Sequence, residues 1–137
     1  MPPTPRTLTL IVMDGLFAIA KLKPDAAIPG WVTQDVFFSV TRTEDELSLV
    51  TAEAGVPAGF EASRGWRMFK LQGPFAFSEV GVLASLANPL ARIGIGIFVI
   101  STFDTDYLLV QQDEIPAAVE ALEHAGHRIL RLELLTS

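Results

Sequence analysis

Cysteine is absent from the 137 residues. That one gap excludes disulfides, thiolate catalysis and cysteine-ligated zinc, and it leaves redox chemistry without a reactive group. Basic runs are missing as well: 10 Lys and Arg stand against 16 Asp and Glu, a formal net charge of −6. A nucleic-acid backbone or an anionic membrane surface is repelled by such a chain at long range. No apolar run is long enough for a membrane span, since Ile93–Ile100 falls far short of the roughly 20 residues a helix needs. The stretch from Arg6 to Ala18-Ile19-Ala20 imitates a secretory leader, but Asp14-Gly15 breaks its apolar centre. A soluble, cytoplasmic protein is expected. G-x-S-x-G, H-E-x-x-H and the P-loop are all lacking, so no enzyme is expected. His124 and His127 lie three apart at a helix end, where histidine is favoured anyway, and no cysteine supports them as ligands. No metal and no cofactor are expected.

What the chain has is apolar surface. Half the residues are hydrophobic and nine are Phe, a composition that excludes intrinsic disorder. It also repeats itself. Shifted by 60, Phe37-Phe38-Ser39-Val40-Thr41 falls on Ile97-Phe98-Val99-Ile100-Ser101, and Glu46-Leu47-Ser48-Leu49-Val50 falls on Asp106-Tyr107-Leu108-Leu109-Val110. After a one-residue slip, Val56-Pro57-Ala58 matches Ile115-Pro116-Ala117. Shared punctuation as well as shared hydrophobicity reads as a degenerate duplication, with residues 1–62 as one repeat and 63–137 as the other.

The second repeat carries the clearer pattern. An alternating strand over Trp66–Gln72 ends at Gly73-Pro74, and Ser78 then caps a helix through Ala91 that Pro89 kinks. Strands follow over Ile95–Thr102 and Thr105–Val110. Asp113 caps a second helix with Ile115, Ala118, Val119, Leu122 and Ala125 on one face, Gly126 ends it, and His127–Leu132 is a last strand. The result is β-α-β-β-α-β, an α+β, ferredoxin-like sheet of four strands with two helices on one face. The first repeat keeps strands over Thr7–Val12, Val36–Thr41 and Leu47–Thr51, but Phe17–Pro24 alternates like a strand where a helix belongs. Pro24, Pro29 and Gly30 leave room only for a turn or two near Trp31. The first repeat is eroded. Trp31 and Trp66 are expected to close the two halves together.

Phe77-Ser78-Glu79-Val80-Gly81-Val82-Leu83, followed by Leu90-Ala91-Arg92-Ile93-Gly94-Ile95-Gly96-Ile97, resembles the loop, helix and G-I-x-I strand of the ACT domain, a small amino-acid-binding regulatory module. Ile100-Ser101-Thr102-Phe103-Asp104-Thr105-Asp106-Tyr107-Leu108-Leu109-Val110 is similar to the corresponding strand pair of short bacterial tandem-ACT proteins and of the CASTOR arginine sensors. The resemblance implies an amino-acid sensor whose ligand sits where the first loop and helix meet another domain or chain. A homodimer is expected, because apolar content is high and such sheets pair.

An amino acid needs donors for its carboxylate and acceptors for its ammonium. Backbone N–H groups of Val80, Gly81 and Val82 at a helix start are candidate donors. Asp104 and Asp106 are candidate acceptors, joined by the hydroxyls of Ser101 or Thr102 and by the adjoining Phe103. Each has a plainer reading. Asp104 suits a turn by bonding its own backbone, Asp106 is matched by Glu46 in the first repeat, Glu79 complements a helix dipole, Gly81 serves helix packing, and Phe103 belongs to a core. The surplus of acids, Glu79, Asp104 and Asp106, favours a cationic amino acid such as arginine or lysine. A structural adaptor without a ligand is the alternative.

Overall fold

Alternating apolar residues fix most of the strands. In the computed structural model, which describes residues 7–75 and 80–131, the elements in chain order are β1 (Thr9–Val12), β2 (Phe17–Leu22), a 3-10 turn (Gly30–Gln34), β3 (Phe38–Arg42), β4 (Leu47–Ala52) and a second 3-10 turn (Glu53–Gly55). Then come β5 (Ser63–Leu71), α1 (Val82–Arg92), β6 (Phe98–Ser101), β7 (Asp106–Gln111), a third 3-10 turn (Gln112–Glu114), α2 (Ile115–His124) and β8 (Arg128–Arg131). Among the described residues no helix is long and apolar enough to cross a membrane. The chain forms two compact units: Gly15–Trp66, and a second made from residues 1–14 and 67–137. This grouping differs from a division at residue 62, because the N-terminal strand goes with the C-terminal half.

In the second unit β1 pairs antiparallel with β5 and parallel with β8, while β7 pairs with β5 and β6. The order is therefore β8-β1-β5-β7-β6. It is the ferredoxin-like arrangement expected from the sequence, with one addition: β1 stands between its first and last strands. Leu10 and Val12 of β1, Phe69 and Leu71 of β5, and Leu108 and Val110 of β7 meet Leu86 and Leu90 of α1 and Ala118 and Leu122 of α2 in one core. Period-2 alternation then turns Ile11, Lys70 and Tyr107 to the opposite face of the sheet.

Several boundaries differ from the sequence reading. Helix α1 begins at Val82, because Gly81 holds φ 81°, the left-handed region that no helical residue adopts; Ser78 lies outside the described residues. Strand β6 starts at Phe98, not Ile95, since the Ile95 N–H is spent on the Leu90 carbonyl (3.0 Å) and the Gly94 N–H on Ala91 (3.1 Å), which cap α1. Asp113 does not cap α2. It sits inside the third 3-10 turn, Glu114 takes the N-cap place with no side-chain bond, and Pro116 opens the helix. Gly126 does end α2 with φ 99°.

The Gly15–Trp66 unit has the strand order β3-β4-β2-β5, all antiparallel, with β5 contributing residues 63–66. Its leading strand is β2, not Thr7–Val12. The Gly30–Gln34 turn stands where a first helix would, held to one turn by Pro24 and Pro29, and Glu53–Gly55 is all that remains of the second. Trp31 packs edge-on against Phe60 (centroids 4.9 Å apart) beside Ala20, Val32, Leu47 and Leu49. Its partner is thus inside this unit. Buried Thr51 donates its hydroxyl to the Val32 carbonyl at 2.9 Å, tying the turn to the sheet.

The strand pairs also correct the repeat. Arg42 pairs with Leu47 as Ser101 pairs with Asp106, an offset of 59 (101 − 42), not 60. The 59-residue offset of the Pro57-Ala58 match therefore extends through the hairpin, and no slip is needed. Asp106 corresponds to Leu47 and not to Glu46; the counterpart of Asp104 is Asp45.

Candidate functional site

Antiparallel alternation brings three features to one end of the second unit: the end of β5, the start of α1, and the hairpin joining β6 to β7. The Thr102 N–H donates to the Thr105 carbonyl (2.8 Å) and the Thr102 hydroxyl reinforces it (3.1 Å), so Phe103 and Asp104 form the loop. Two further bonds anchor the hairpin to the chain leaving β5. The Thr105 hydroxyl donates to the Leu71 carbonyl at 2.9 Å, and the Phe75 N–H donates to the Asp104 carbonyl at 2.8 Å. Gly73 packs tightly beneath it: a Cβ there would lie 3.1 Å from the Asp104 carbonyl oxygen, so a larger residue would have to displace the hairpin by a few tenths of an ångström.

The candidate residues sort accordingly. Asp104 is exposed at the hairpin, with its backbone carbonyl engaged by Phe75. Asp106 accepts the Ser101 hydroxyl across the strand pair at 2.5 Å, so one carboxylate oxygen serves the hairpin. Phe103 is 77% exposed and is not core, whereas Phe98 is half-buried in β6. Val80 is 79% exposed, and nothing lies within 4 Å of a Cβ built on Gly81, so helix packing does not explain that glycine; its positive φ does. The first amides of α1 are those of Val82, Leu83 and Ala84, since Ser85 already donates to Gly81 (3.0 Å). Of the three backbone donors named from sequence, Val82 alone lies within the helix. Ser78 and Glu79 lie outside the described residues.

A cavity of about 440 Å³ opens beside the hairpin on the sheet face opposite the helices, lined by Ile11, Lys70, Gln72, Thr102, Asp104 and Tyr107 among others. Thr102 and Asp104 were legible as candidates. Lys70, Gln72 and Tyr107 were not singled out, although the alternation that puts Phe69, Leu71 and Leu108 in the core marks their neighbours as open-face residues. Among the described residues no cluster of His, Asp or Glu is arranged for a metal ion.

The geometry has counterparts in known proteins. A family model described as the ACT domain matches residues 61–124, and a model described as an N-terminal domain matches residues 15–59. The chain is 42% identical to the human protein named cytosolic arginine sensor for mTORC1 subunit 1 and 32% identical to its mouse counterpart, over 89% of its own length. It spans 40% of the length of those relatives. Among solved structures, Agrobacterium tumefaciens protein Atu0741 is 43% identical with a TM-score of 0.87, covering 92% of this chain and 94% of that one. Clostridium acetobutylicum aspartate kinase, at 12% identity and a TM-score of 0.60, shares the fold over 80% of this chain. The family model that matches residues 61–124 makes this chain an ACT-domain protein.

Proposed function

We propose that this chain is an amino-acid-sensing regulatory protein that holds its ligand at the hairpin end of the ACT unit. The observation that carries this reading is Asp104, an exposed carboxylate whose loop is fixed by backbone bonds beside a 440 Å³ cavity. Cavities of roughly 300–1,000 Å³ are the usual size for small ligands, and such a carboxylate accepts from an α-ammonium group. The remaining candidates are Ser101, Thr102, Phe103 and Asp106 on the hairpin and Val80, Gly81 and Val82 at the helix start, with Ser78 and Glu79 preceding them in the sequence. The relatives named as arginine sensors make arginine the first ligand to test and favour a cationic amino acid. Exposed Val80, Leu83 and Phe103 give the same unit apolar surface that a second copy of the chain would cover, so the assembly proposed is a homodimer. Sedimentation at high micromolar concentration checks it, and a monomer throughout defeats it.

A thermal-shift screen of the twenty amino acids tests the sensing role. Ligand at 100 times its Kd stabilises the folded state by about 2.7 kcal/mol, so one amino acid, or a small chemical group of them, is expected to raise Tm. Indifference to all twenty is the result a purely structural adaptor gives.

A further inference from the structure

Two positively polarised groups compete for the carboxylate of a ligand bound at this end: the amides at the start of α1, on the helical side of the sheet, and the Lys70 ammonium, on the open side, where the neutral donors Gln72 and Tyr107 stand beside it. We infer that Lys70 takes it, and that the cavity on the open face holds the charged end of an α-amino acid between Lys70 and Asp104. The inference rests on the amino-acid-sensing reading and deepens it.

Among the described residues lining the cavity, Lys70 and Asp104 are the charged side chains. Lys70 is directed there by its strand: Phe69 and Leu71 on either side are fully buried in the core, and Ile11, its register partner on β1, lines the same cavity. No hydrogen bond or ion pair engages its ammonium among the described residues. The two threonine hydroxyls cannot replace it. Thr102 and Thr105 have committed their protons to the carbonyls of Thr105 and Leu71, so toward a ligand they are acceptors only. A cation and an anion that line one cavity, neither paired among the described residues, match a molecule carrying both charges on adjacent groups, which is the zwitterionic end common to all α-amino acids.

The same combination occurs a second time. The hairpin of the Gly15–Trp66 unit is closed by Thr43 donating to the Glu46 carbonyl at 2.8 Å, the same closure 59 residues earlier. Its Asp45 lines a cavity of about 1190 Å³ together with Lys21 on β2, Lys23 just beyond it, and two further carboxylates, Asp25 and Glu61, that have no counterpart in the smaller cavity. Strand β2 leads that unit as β5 leads the other, so both repeats set a hairpin aspartate against lysine from the leading strand.

The test uses the full chain with each of the twenty amino acids and its α-amide, which lacks the carboxylate charge. The parent is expected to prefer the best-binding acid over its amide at least tenfold, by calorimetry. Lys70→Met is expected to bind the acid at least tenfold more weakly and to lose the preference, while Lys70→Arg keeps it; unchanged melting without ligand shows that the variants are folded. If Lys70→Met retains the parent's preference, the carboxylate lies elsewhere and the assignment is wrong, though amino-acid sensing stands. If the parent binds neither acid nor amide, both fall together.

Discussion

At the scale of single residues, His127 and Pro89 form a pair that neither sequence pattern announces. Proline has no N–H, so Pro89 within α1 leaves the Ser85 carbonyl, four residues earlier, without its helical donor. The His127 ring fills the vacancy: Nε2 lies 2.9 Å from the Ser85 oxygen, while Nδ1 accepts the Leu8 N–H at 3.1 Å. One nitrogen must accept, so the proton is on Nε2 and the ring is neutral. His127 is 5% exposed and stitches β1 and α1 to the start of β8. Its spacing from His124 suggests half of a metal pair in the sequence; its partners here are backbone groups. His127→Ala leaves a buried amide and a carbonyl unpaired, at about 1–3 kcal/mol for each group lost. Pro89→Ala restores a helical donor for Ser85. The cost of His127→Ala is therefore expected to be smaller in a Pro89→Ala background, by about 1 kcal/mol. Denaturant unfolding of the four proteins measures this coupling, and equal costs in both backgrounds would show that the two residues act independently.

At the scale of elements, the hairpin from Ser101 to Asp106 separates side chains bonded within the fold from one that faces a cavity. Asp106 is engaged by Ser101, and Thr105 by Leu71, whereas the side chain of Asp104 has room to meet a ligand. Thr105→Val removes a neutral hydrogen bond and is expected to lower stability by about 1 kcal/mol. Asp104→Asn is expected to leave melting nearly unchanged and to weaken amino-acid binding by about 1.5–3 kcal/mol, the worth of a charge-assisted bond. Calorimetry on both variants decides the matter: a loss of stability without a loss of binding in Asp104→Asn makes it a turn residue. Much of this unit was legible because its signals are local. Leu86, Leu90, Ala118 and Leu122 follow helical spacing, and Gly126 punctuates where expected. The start of α1 was not, because Gly81 overrides a serviceable capping serine through a backbone angle that composition does not reveal. The role proposed for Lys70 was not legible for a different reason. Its value depends on what faces it across strands far apart in sequence, and one strand's alternation tells only which face it takes.

At the scale of the whole molecule, the two repeats are not two separable modules. Strand β1 precedes the Gly15–Trp66 unit in sequence, yet it is an interior strand of the other unit, paired on one side with β5 and on the other with β8. The sequence alone could not place it, since a short apolar strand carries no mark of which sheet receives it. Leu8, Leu10 and Val12 are 7%, 0% and 3% exposed and belong to the core beneath α1 and α2. Burying each contributes roughly 1.5–3 kcal/mol, so the three together contribute on the order of 5–9 kcal/mol, an upper figure because unfolded chains already bury some surface. Domains of this size are stable by only about 5–15 kcal/mol. Loss of β1 thus removes much of the margin and also strips both neighbouring strands of ladder partners. A fragment of residues 63–137, the repeat as sequence similarity delimits it, is expected to lack cooperative unfolding and to bind no amino acid. A peptide of residues 1–14 added in trans is expected to restore part of its structure, which circular dichroism follows. A fragment 63–137 that melts cooperatively near the temperature of the full chain would show β1 to be dispensable.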